Sequence, residues 1–371
     1  MHDNYLVVGA GITGSTIACL LSQDRDNEVT VIDRRDHIGG NCYDYHDENG
    51  ITVHRYGSHI FHTSRKDVWE FLNRYTSFRP YEHKVRAVIG GKETVIPFNI
   101  DSIRQSFPSD VADRMERKML ERYGSDARIP ITDLLDNEDD DIRSLAQFVY
   151  DNVFKNYTIK QWGRPLSDMD KEVATRVPVV LNNDPRYFRD EYQGIPTEGY
   201  TKMMKRMLDA PNVKVMTNTD LHDIDISRYS KVFYTGSIDE LMDYSLGALP
   251  YRSERFEFET LDEQYYQSGA VINYPNDYEF TRIHEFKYYL DEKSDETVIA
   301  REYPEEFVIG SNERYYPILT RENQELYSRY LDLAKKKYPN MYFLGRLGDY
   351  RYYDMDKAVA RAMDVYKEVF D

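Results

Sequence analysis

Gly9, Gly11 and Gly14 stand in the spacing G-x-G-x-x-G, and an acid, Asp33, follows Gly14 by 19 residues. Together they can hold a dinucleotide. The first glycine allows a tight turn, the second lets the backbone approach a pyrophosphate, and the third lets a helix pack on a strand with its N-terminal N–H groups facing the phosphates. Ile12 and Thr13 fill the positions between them. Asp33 suits the paired hydroxyls of an adenosine ribose and would repel a 2′-phosphate, so the expected occupant is NAD or FAD.

Arg34 follows the acid, and Gly39-Gly40-Asn41 comes shortly after. A paired glycine at that distance resembles the flavoprotein pattern, in which this loop passes close to the cofactor, and FAD becomes the better choice. His59 and His62 have a spacing that metal ligands can take, but no Cys, Asp or Glu cluster completes a coordination shell, and no metal is expected. Either the histidine beside Gly57 lies against the flavin, or both histidines simply pack or cap. The acidic run Asp136–Asp141 reads as a solvated turn and helix start.

The elements that must position these groups are legible around them. Tyr5-Leu-Val-Val is a short apolar run suited to a buried parallel strand, Ser15–Gln23 reads as a helix, and Glu28–Asp33 as the next strand. Lys66–Asn73 looks helical, and Val85–Phe98 alternates around Gly90-Gly91 as a hairpin. From Asp101 to Trp162 the pattern is helical, with one helix over Ile103–Tyr123 and another carrying Ile142, Leu145, Ala146, Val149 and Val153 on one face. Asn212–Met216 and Lys231–Tyr234 look like strands returning to the nucleotide-binding sheet, Glu254–Pro317 alternates as β-structure, and a last helix ends at Phe370. The stretch Val177–Pro196, rich in Pro, Asn, Asp and Gly, is expected to be a mobile loop.

With 371 residues the chain is long enough for two or three domains, and 41% hydrophobic with 30% charged residues excludes general disorder. Against 65 acidic residues there are 48 basic ones, a net charge of −17, which disfavours nucleic acid and anionic membranes as partners of the whole surface. An anionic substrate would need a local basic pocket. Cys19 and Cys42 are the only cysteines, so no disulfide framework exists. The first strand starts too near Met1 to leave room for a signal peptide, no apolar run is long enough to insert in a membrane, and the cytoplasm is the expected compartment.

Seven motifs in this order carry a family resemblance: Gly9-Ala-Gly-Ile-Thr-Gly14, His37-Ile-Gly-Gly-Asn41, Gly57-Ser-His-Ile-Phe-His62, Tyr157-Thr-Ile-Lys-Gln-Trp-Gly163, Phe280-Thr-Arg-Ile283, Tyr315-Tyr-Pro-Ile318 and the block Gly345–Asp356. The sequence resembles the bacterial UDP-galactopyranose mutases from Tyr5 to the last helix. The resemblance implies an isomerase that interconverts UDP-galactopyranose and UDP-galactofuranose through a covalent adduct between the sugar and N5 of reduced FAD, and that supplies galactofuranose for cell-surface glycans and polysaccharides. NAD(P)H or dithionite would serve as reductant, and a homodimer is expected. Such a mechanism explains why no Ser-His-Asp, Cys-His or paired-carboxylate arrangement stands out.

The same resemblance implies site residues. Arg176 and Arg282 would grip the diphosphate of the UDP-sugar, assisted by Arg252, with hydroxyls from Tyr157, Tyr187, Tyr316 and Tyr352. Phe154, Trp162, Asn273 and His83 would complete the substrate contacts, and His59 would lie near the isoalloxazine. Around FAD, Gly9, Gly11, Ile12, Thr13, Gly14, Asp33, Arg34, Gly40 and Asn41 would be joined by Val215, Gly345, Arg346, Tyr352, Asp354 and Met355.

The expected fold class is α/β: a Rossmann-type FAD-binding domain over 1–78, 195–245 and 330–371, an inserted helical domain over 101–168, and an antiparallel β-sheet substrate domain over 79–100, 169–194 and 246–329. Some positions depart from the family pattern: Ser58, His83 where an asparagine is frequent, Phe280 where a tyrosine is usual, and His284-Glu-Phe-Lys287. These leave UDP-N-acetylgalactosamine and UDP-arabinopyranose as alternative substrates. A flavin oxidoreductase of the amine-oxidase type is the rival class, and a non-catalytic nucleotide-sugar or flavin-binding protein is the second.

Overall fold

The computed structural model describes residues 3–163 and 178–370. The chain divides into two compact units, the first comprising Met1–Tyr81, Asp190–Ser253 and Phe307–Asp371, the second Glu82–Arg189 and Glu254–Glu306.

The first unit is built on a five-stranded parallel sheet in the order Val213–Met216, Glu28–Ile32, Asn4–Val8, Lys231–Tyr234, Met341–Phe343. Its central strand is apolar on both faces because both are covered, as parallel sheets require. Val7 faces a core with Ile17, Leu21, Phe233, Ala362 and Val365, and Leu6 faces another with Val232, Tyr330, Ala334 and Phe343. Helices Ile12–Leu21 and Met355–Phe370 pack together over the first face. Helix Arg321–Lys337, which sequence periodicity did not reveal, brings Tyr330 and Ala334 to the second.

Of the stretch expected to be a loop, both ends are paired as strands. Val179–Val180 pairs with Arg128–Ile129 in the second unit, and Tyr192–Pro196 is the middle strand between Phe61–Thr63 and Phe78–Pro80 in the first. Gly194, one of the loop signals, serves close strand approach: a Cβ there would lie 2.7 Å from the carbonyl oxygen of Arg79.

In the second unit the helices lie with a sheet that is antiparallel, as expected, except where Val271–Asn273 pairs parallel with Val85–Ile89. Its strands run in the order Tyr251–Leu261 (from Glu254 onward), Thr297–Glu306, Arg282–Glu285, Val271–Asn273, Val85–Ile89, Lys92–Ile96. The hairpin Val85–Ile89/Lys92–Ile96 turns at Gly90 and Gly91, both at positive φ. Helix Ile100–Ser106 opens with a capping box between Asn99 and Ser102, whose hydroxyl also donates to the Val95 carbonyl. The single helix expected over Ile103–Tyr123 is two, because Pro108 ends the first and starts Ser109–Tyr123. Beyond the short helix Ile131–Leu135, helix Asp140–Val149 continues through a π-helical turn, Tyr150–Lys155, into Asn156–Trp162, and Gly163 ends it at φ 67°. A π-turn inserts a residue into the helical spacing, and such turns recur at functional sites.

Candidate active site

In the first unit a cavity of about 300 Å³ opens at the carboxyl ends of the parallel strands, where Val8, Ile32 and Tyr234 all reach its wall. Ligands of open α/β sheets bind at this edge. The glycine loop is shaped by packing. At Gly14 a Cβ would stand 1.7 Å from the Gly9 carbonyl oxygen, and at Gly9, where φ is +99°, it would stand 2.1 Å from Thr235 Oγ1. Gly39 N donates to Ala10 O at 2.8 Å, and a Cβ on Gly40 would lie 2.9 Å from Gly11 Cα. The two glycine segments thus lie directly against one another, which is the physical content of the paired glycine after the acid.

Asp33 is buried at the cavity wall, its Oδ2 accepting from Ala10 N at 2.8 Å and its Oδ1 from Arg35 N at 2.9 Å. Each oxygen retains a lone pair, so the fixed carboxylate can still accept from ribose hydroxyls. Arg34 also borders the cavity, and its guanidinium is engaged by Glu240 and Glu313, both at 3.2 Å. Arg35 packs its guanidinium 4.4 Å from the Tyr56 ring centre and donates to Asn41 Oδ1 at 3.0 Å, while its Nη1 is buried with no partner among the described residues. Arg314, almost fully buried, binds Glu240 at 2.8 Å and Tyr244 at 2.9 Å and leaves Nε in the same condition. Two arginines with orphaned N–H groups on one cavity wall fit a polyanionic, hydroxylated ligand such as a dinucleotide.

His59 borders the cavity with protein around the rest of its ring. Burial, then the nearby His54, lowers its pKa to about 3, against the opposing pull of the hydrogen bond to Gly57 O, so the ring is neutral at physiological pH. His62, by contrast, pairs with Asp190 at 2.8 Å.

Of the residues expected around the cofactor, Gly9, Gly11, Ile12, Thr13, Gly14, Asp33, Arg34, Gly40, Asn41, His59, Gly345, Arg346, Asp354 and Met355 line the cavity. Val215 does not, because it lies on the edge strand with its side chain exposed. Tyr352 does not either, and stacks on Tyr316 with centroids 5.4 Å apart. Thr219–His222, Tyr234–Ser237, Glu313 and Arg314 line it without having been anticipated. Tyr234-Thr-Gly236 repeats the strand-then-glycine signal and was readable, whereas nothing local marks Glu313-Arg314.

Three residues expected on the substrate gather elsewhere in this unit. Arg252, buried, pairs in register with Tyr316, and Tyr316 stacks on Tyr352. Arg346 joins this group to the cavity, lying 4.9 Å from the Tyr316 ring and 5.6 Å from that of Tyr352, while donating to the carbonyls of Tyr353 and Tyr315.

The second unit holds the remainder. Asn273, Arg282 and Glu302 are direct partners on three neighbouring strands and share one face. Arg282 Nε donates to Glu302 Oε1 at 2.7 Å, and Nη2 lies 3.9 Å from Glu254. Burial pushes the Glu302 carboxyl up, but Arg282 and then His284, at 2.8 Å, outweigh it and hold Glu302 below the usual carboxylate range. Burial lowers His284, which therefore donates to Glu302 as a neutral ring. The Tyr157 hydroxyl sits among Arg282, Glu302, Tyr187 and Glu254, and burial raises its pKa, keeping it a phenol. Asn273 Oδ1 is buried with no partner among the described residues. His83 is buried, accepts from Tyr187 N through its carbonyl at 2.8 Å, and packs against the rings of Tyr187 and Phe188. Phe154 is buried and Trp162 partly exposed in the helical segment. Arg176 lies outside the described residues.

A sequence model of the UDP-galactopyranose mutase family matches residues 152–352, and one of NAD(P)-binding Rossmann-like domains matches residues 7–75. A Klebsiella pneumoniae protein described as "Probable UDP-galactopyranose mutase" is 37% identical, covering 99% of this chain and 94% of that one. The chain belongs to the UDP-galactopyranose mutase family. It is accordingly an isomerase acting between pyranose and furanose ring forms, and the family implies a flavin cofactor. An Escherichia coli relative named dTDP-fucopyranose mutase is 35% identical over 98% of this chain and 97% of its own. A solved structure of reduced UDP-galactopyranose mutase shares the fold with a TM-score of 0.75 at 15% identity, covering 100% of this chain and 94% of that one.

Proposed function

We propose that the cavity of the first unit binds FAD and that the chain, when reduced, interconverts UDP-galactopyranose and UDP-galactofuranose. The observation that carries the substrate half is the row Asn273–Arg282–Glu302 with the Tyr157 phenol beside Arg282. A fixed guanidinium, oriented by a buried carboxylate and flanked by a neutral phenol, suits a diphosphate that gains charge as it leaves. Reduced FAD would supply a nucleophilic nitrogen for the anomeric carbon. Arg282 and, by the family resemblance, Arg176 would hold the diphosphate, with phenols from Tyr157 and Tyr187 donating to its oxygens. The orphaned Asn273 Oδ1 would accept from the nucleoside. Neutral His59 would border the flavin without adding charge.

The test is to incubate dithionite-reduced protein with UDP-galactofuranose and follow UDP-galactopyranose by chromatography. The purified protein should be yellow and turn over only when reduced, with NAD(P)H able to replace dithionite. Equal turnover by fully oxidised protein under strict anaerobiosis would defeat the reading.

The Escherichia coli relative supports a second substrate, a thymidine-diphosphate 6-deoxy sugar. The enclosed His83 imidazole leaves less room than an asparagine, which favours an unsubstituted sugar over an N-acetyl one. Steric discrimination of that kind is worth ~1–3 kcal/mol, or about 10- to 200-fold in kcat/KM. Measured side by side, UDP-galactofuranose should outrank its N-acetyl and dTDP-linked counterparts, and His83→Asn should narrow the N-acetyl gap. A preference for either rival in the native protein would reassign the substrate.

A further inference from the structure

We propose that Lys160 is a positioning residue that sets the separation between Tyr157 and Arg282, resting on the reading above that these two groups hold the nucleotide diphosphate. Lys160 belongs to the Tyr157–Trp162 motif, yet the binding roles assigned to that motif leave it without one.

The segment from the π-helical turn to Trp162 carries two stripes of side chains at four-residue spacing. One stripe, Tyr157 and Gln161, faces the ionic cluster: the Tyr157 phenol stands near Arg282, and Gln161 Nε2 donates to Glu254 Oε1 at 2.7 Å. The other stripe, Asn156 and Lys160, together with the main-chain carbonyl of Asn152, faces the turn that joins strands Val271–Asn273 and Arg282–Glu285. Lys160 Nζ donates to the carbonyls of Tyr274 and Asn276 at 3.1 and 3.2 Å. Asn156 Nδ2 donates to Asn276 Oδ1 at 2.8 Å, and Asn276 Nδ2 donates to the Asn152 carbonyl at 3.1 Å.

The fastened turn begins next to Asn273 and ends next to Arg282, which are register partners at the mouth of the hairpin. Bolting the turn to the helix therefore fixes both against Tyr157. Lys160 is costly to withdraw from water, and burial lowers its pKa. Its ammonium is directed at main-chain oxygens, so it grips the loop whatever side chains the turn carries. The arrangement keeps a tyrosine and an arginine on different elements at a spacing that one diphosphate can bridge.

The experiment is titration of UDP into oxidised, FAD-loaded protein, with KM and kcat measured after reduction. Lys160→Met should weaken UDP about tenfold or more, with KM rising by more than kcat falls, FAD content intact and the unfolding midpoint little changed. Lys160→Arg, which can still donate to two carbonyls, should recover most of the affinity. Asn276→Ala removes the neighbouring bolts and should weaken UDP in the same direction. The proposal is overturned if folded, FAD-loaded Lys160→Met and Asn276→Ala both bind UDP within twofold of the native protein while Arg282→Ala does not. Should Lys160→Met fail to fold or hold FAD, Lys160→Gln, which removes the ammonium and shortens the reach but keeps a polar stem, decides in its place, and UDP binding within twofold of native would overturn the proposal. If Arg282→Ala also binds UDP normally, the diphosphate reading itself fails.

Discussion

Replacing Arg282 with alanine is expected to slow turnover of the reduced enzyme about 10²-fold, equivalent to ~3 kcal/mol of transition-state stabilisation, with flavin content unchanged. On the proposed reading, the donor removed is one whose contact would strengthen as the diphosphate departs. The same change leaves Glu302 and Glu254 buried beside no guanidinium, and breaking a buried pair from one side costs on the order of 3–5 kcal/mol of stability. The pH dependence of that loss has a definite sign. In the native protein Glu302 titrates below its unfolded value, so its contribution is present above the usual glutamate pKa and fades as pH falls through the folded one. Without Arg282 only His284 still opposes burial, and the carboxyl is expected to rise above its unfolded value. Stability is then favoured at low pH and lost as pH climbs through the raised pKa. Urea midpoints of native and variant protein should therefore lie closer together at pH 5 than at pH 8. Turnover within twofold of native would remove Arg282 from the reacting centre, and a gap independent of pH would remove Glu302 from the account.

Alanine at Gly14 should strip the protein of nearly all its flavin, whereas alanine at Gly11 should weaken flavin retention and leave the fold alone. The first adds a carbon 1.7 Å from one backbone atom and 2.9 Å from the next, which the helix can relieve only by moving off the strand. Overpacking of this kind costs about 1–3 kcal/mol, or roughly 2–4 °C of melting temperature per kcal/mol in a chain of this size. At Gly11 the added carbon meets only Gly40 Cα at 3.6 Å, an ordinary contact, and the backbone there is extended at φ −73°, ψ −176°. Any loss at Gly11 thus reports on a group that approaches the backbone from the cavity. Absorbance of purified protein at flavin wavelengths and the melting temperature of the flavin-free forms separate the two cases. If Gly11→Ala retains flavin as tightly as native protein, the pyrophosphate does not pass where the glycine loop suggests.

The contrast between these two sites shows what the amino-acid order reveals unaided. The dinucleotide cradle was legible because glycine loop, helix, second strand and acid fall within 33 residues and each type has a local physical reason. Arg282, Glu302 and Asn273 are joined by strand register, which no spacing rule reports; Arg282 and Asn273 were placed through family resemblance, and Glu302 was not anticipated. Val215, assigned to the cofactor through the resemblance, lies on an edge strand with its side chain exposed, which strand order alone determines and local sequence does not. The helix Arg321–Lys337 was passed over because only Tyr330 and Ala334 of its length are buried. Periodicity through Ile142, Leu145, Ala146, Val149 and Val153 fitted an ordinary helix, which hid the extra residue of the π-turn that follows Val149.

The cavity wall is assembled from distant parts of the chain, and this governs when it can come into being. During synthesis the Gly9–Gly14 loop is made first, but its companions Gly345, Arg346 and Asp354 follow more than 300 residues later. The strand Lys231–Tyr234, which lies beside the first strand in the sheet, is also a late arrival. A nascent chain therefore carries the phosphate loop long before it carries a site, and parallel pairing across such separations makes closure a slow, late event. Flavin capture belongs to the end of folding, where a ligand that binds only the completed form stabilises it by mass action. Cellular flavin supply would then act as a check on maturation, sparing finished molecules and leaving unliganded ones open to proteolysis.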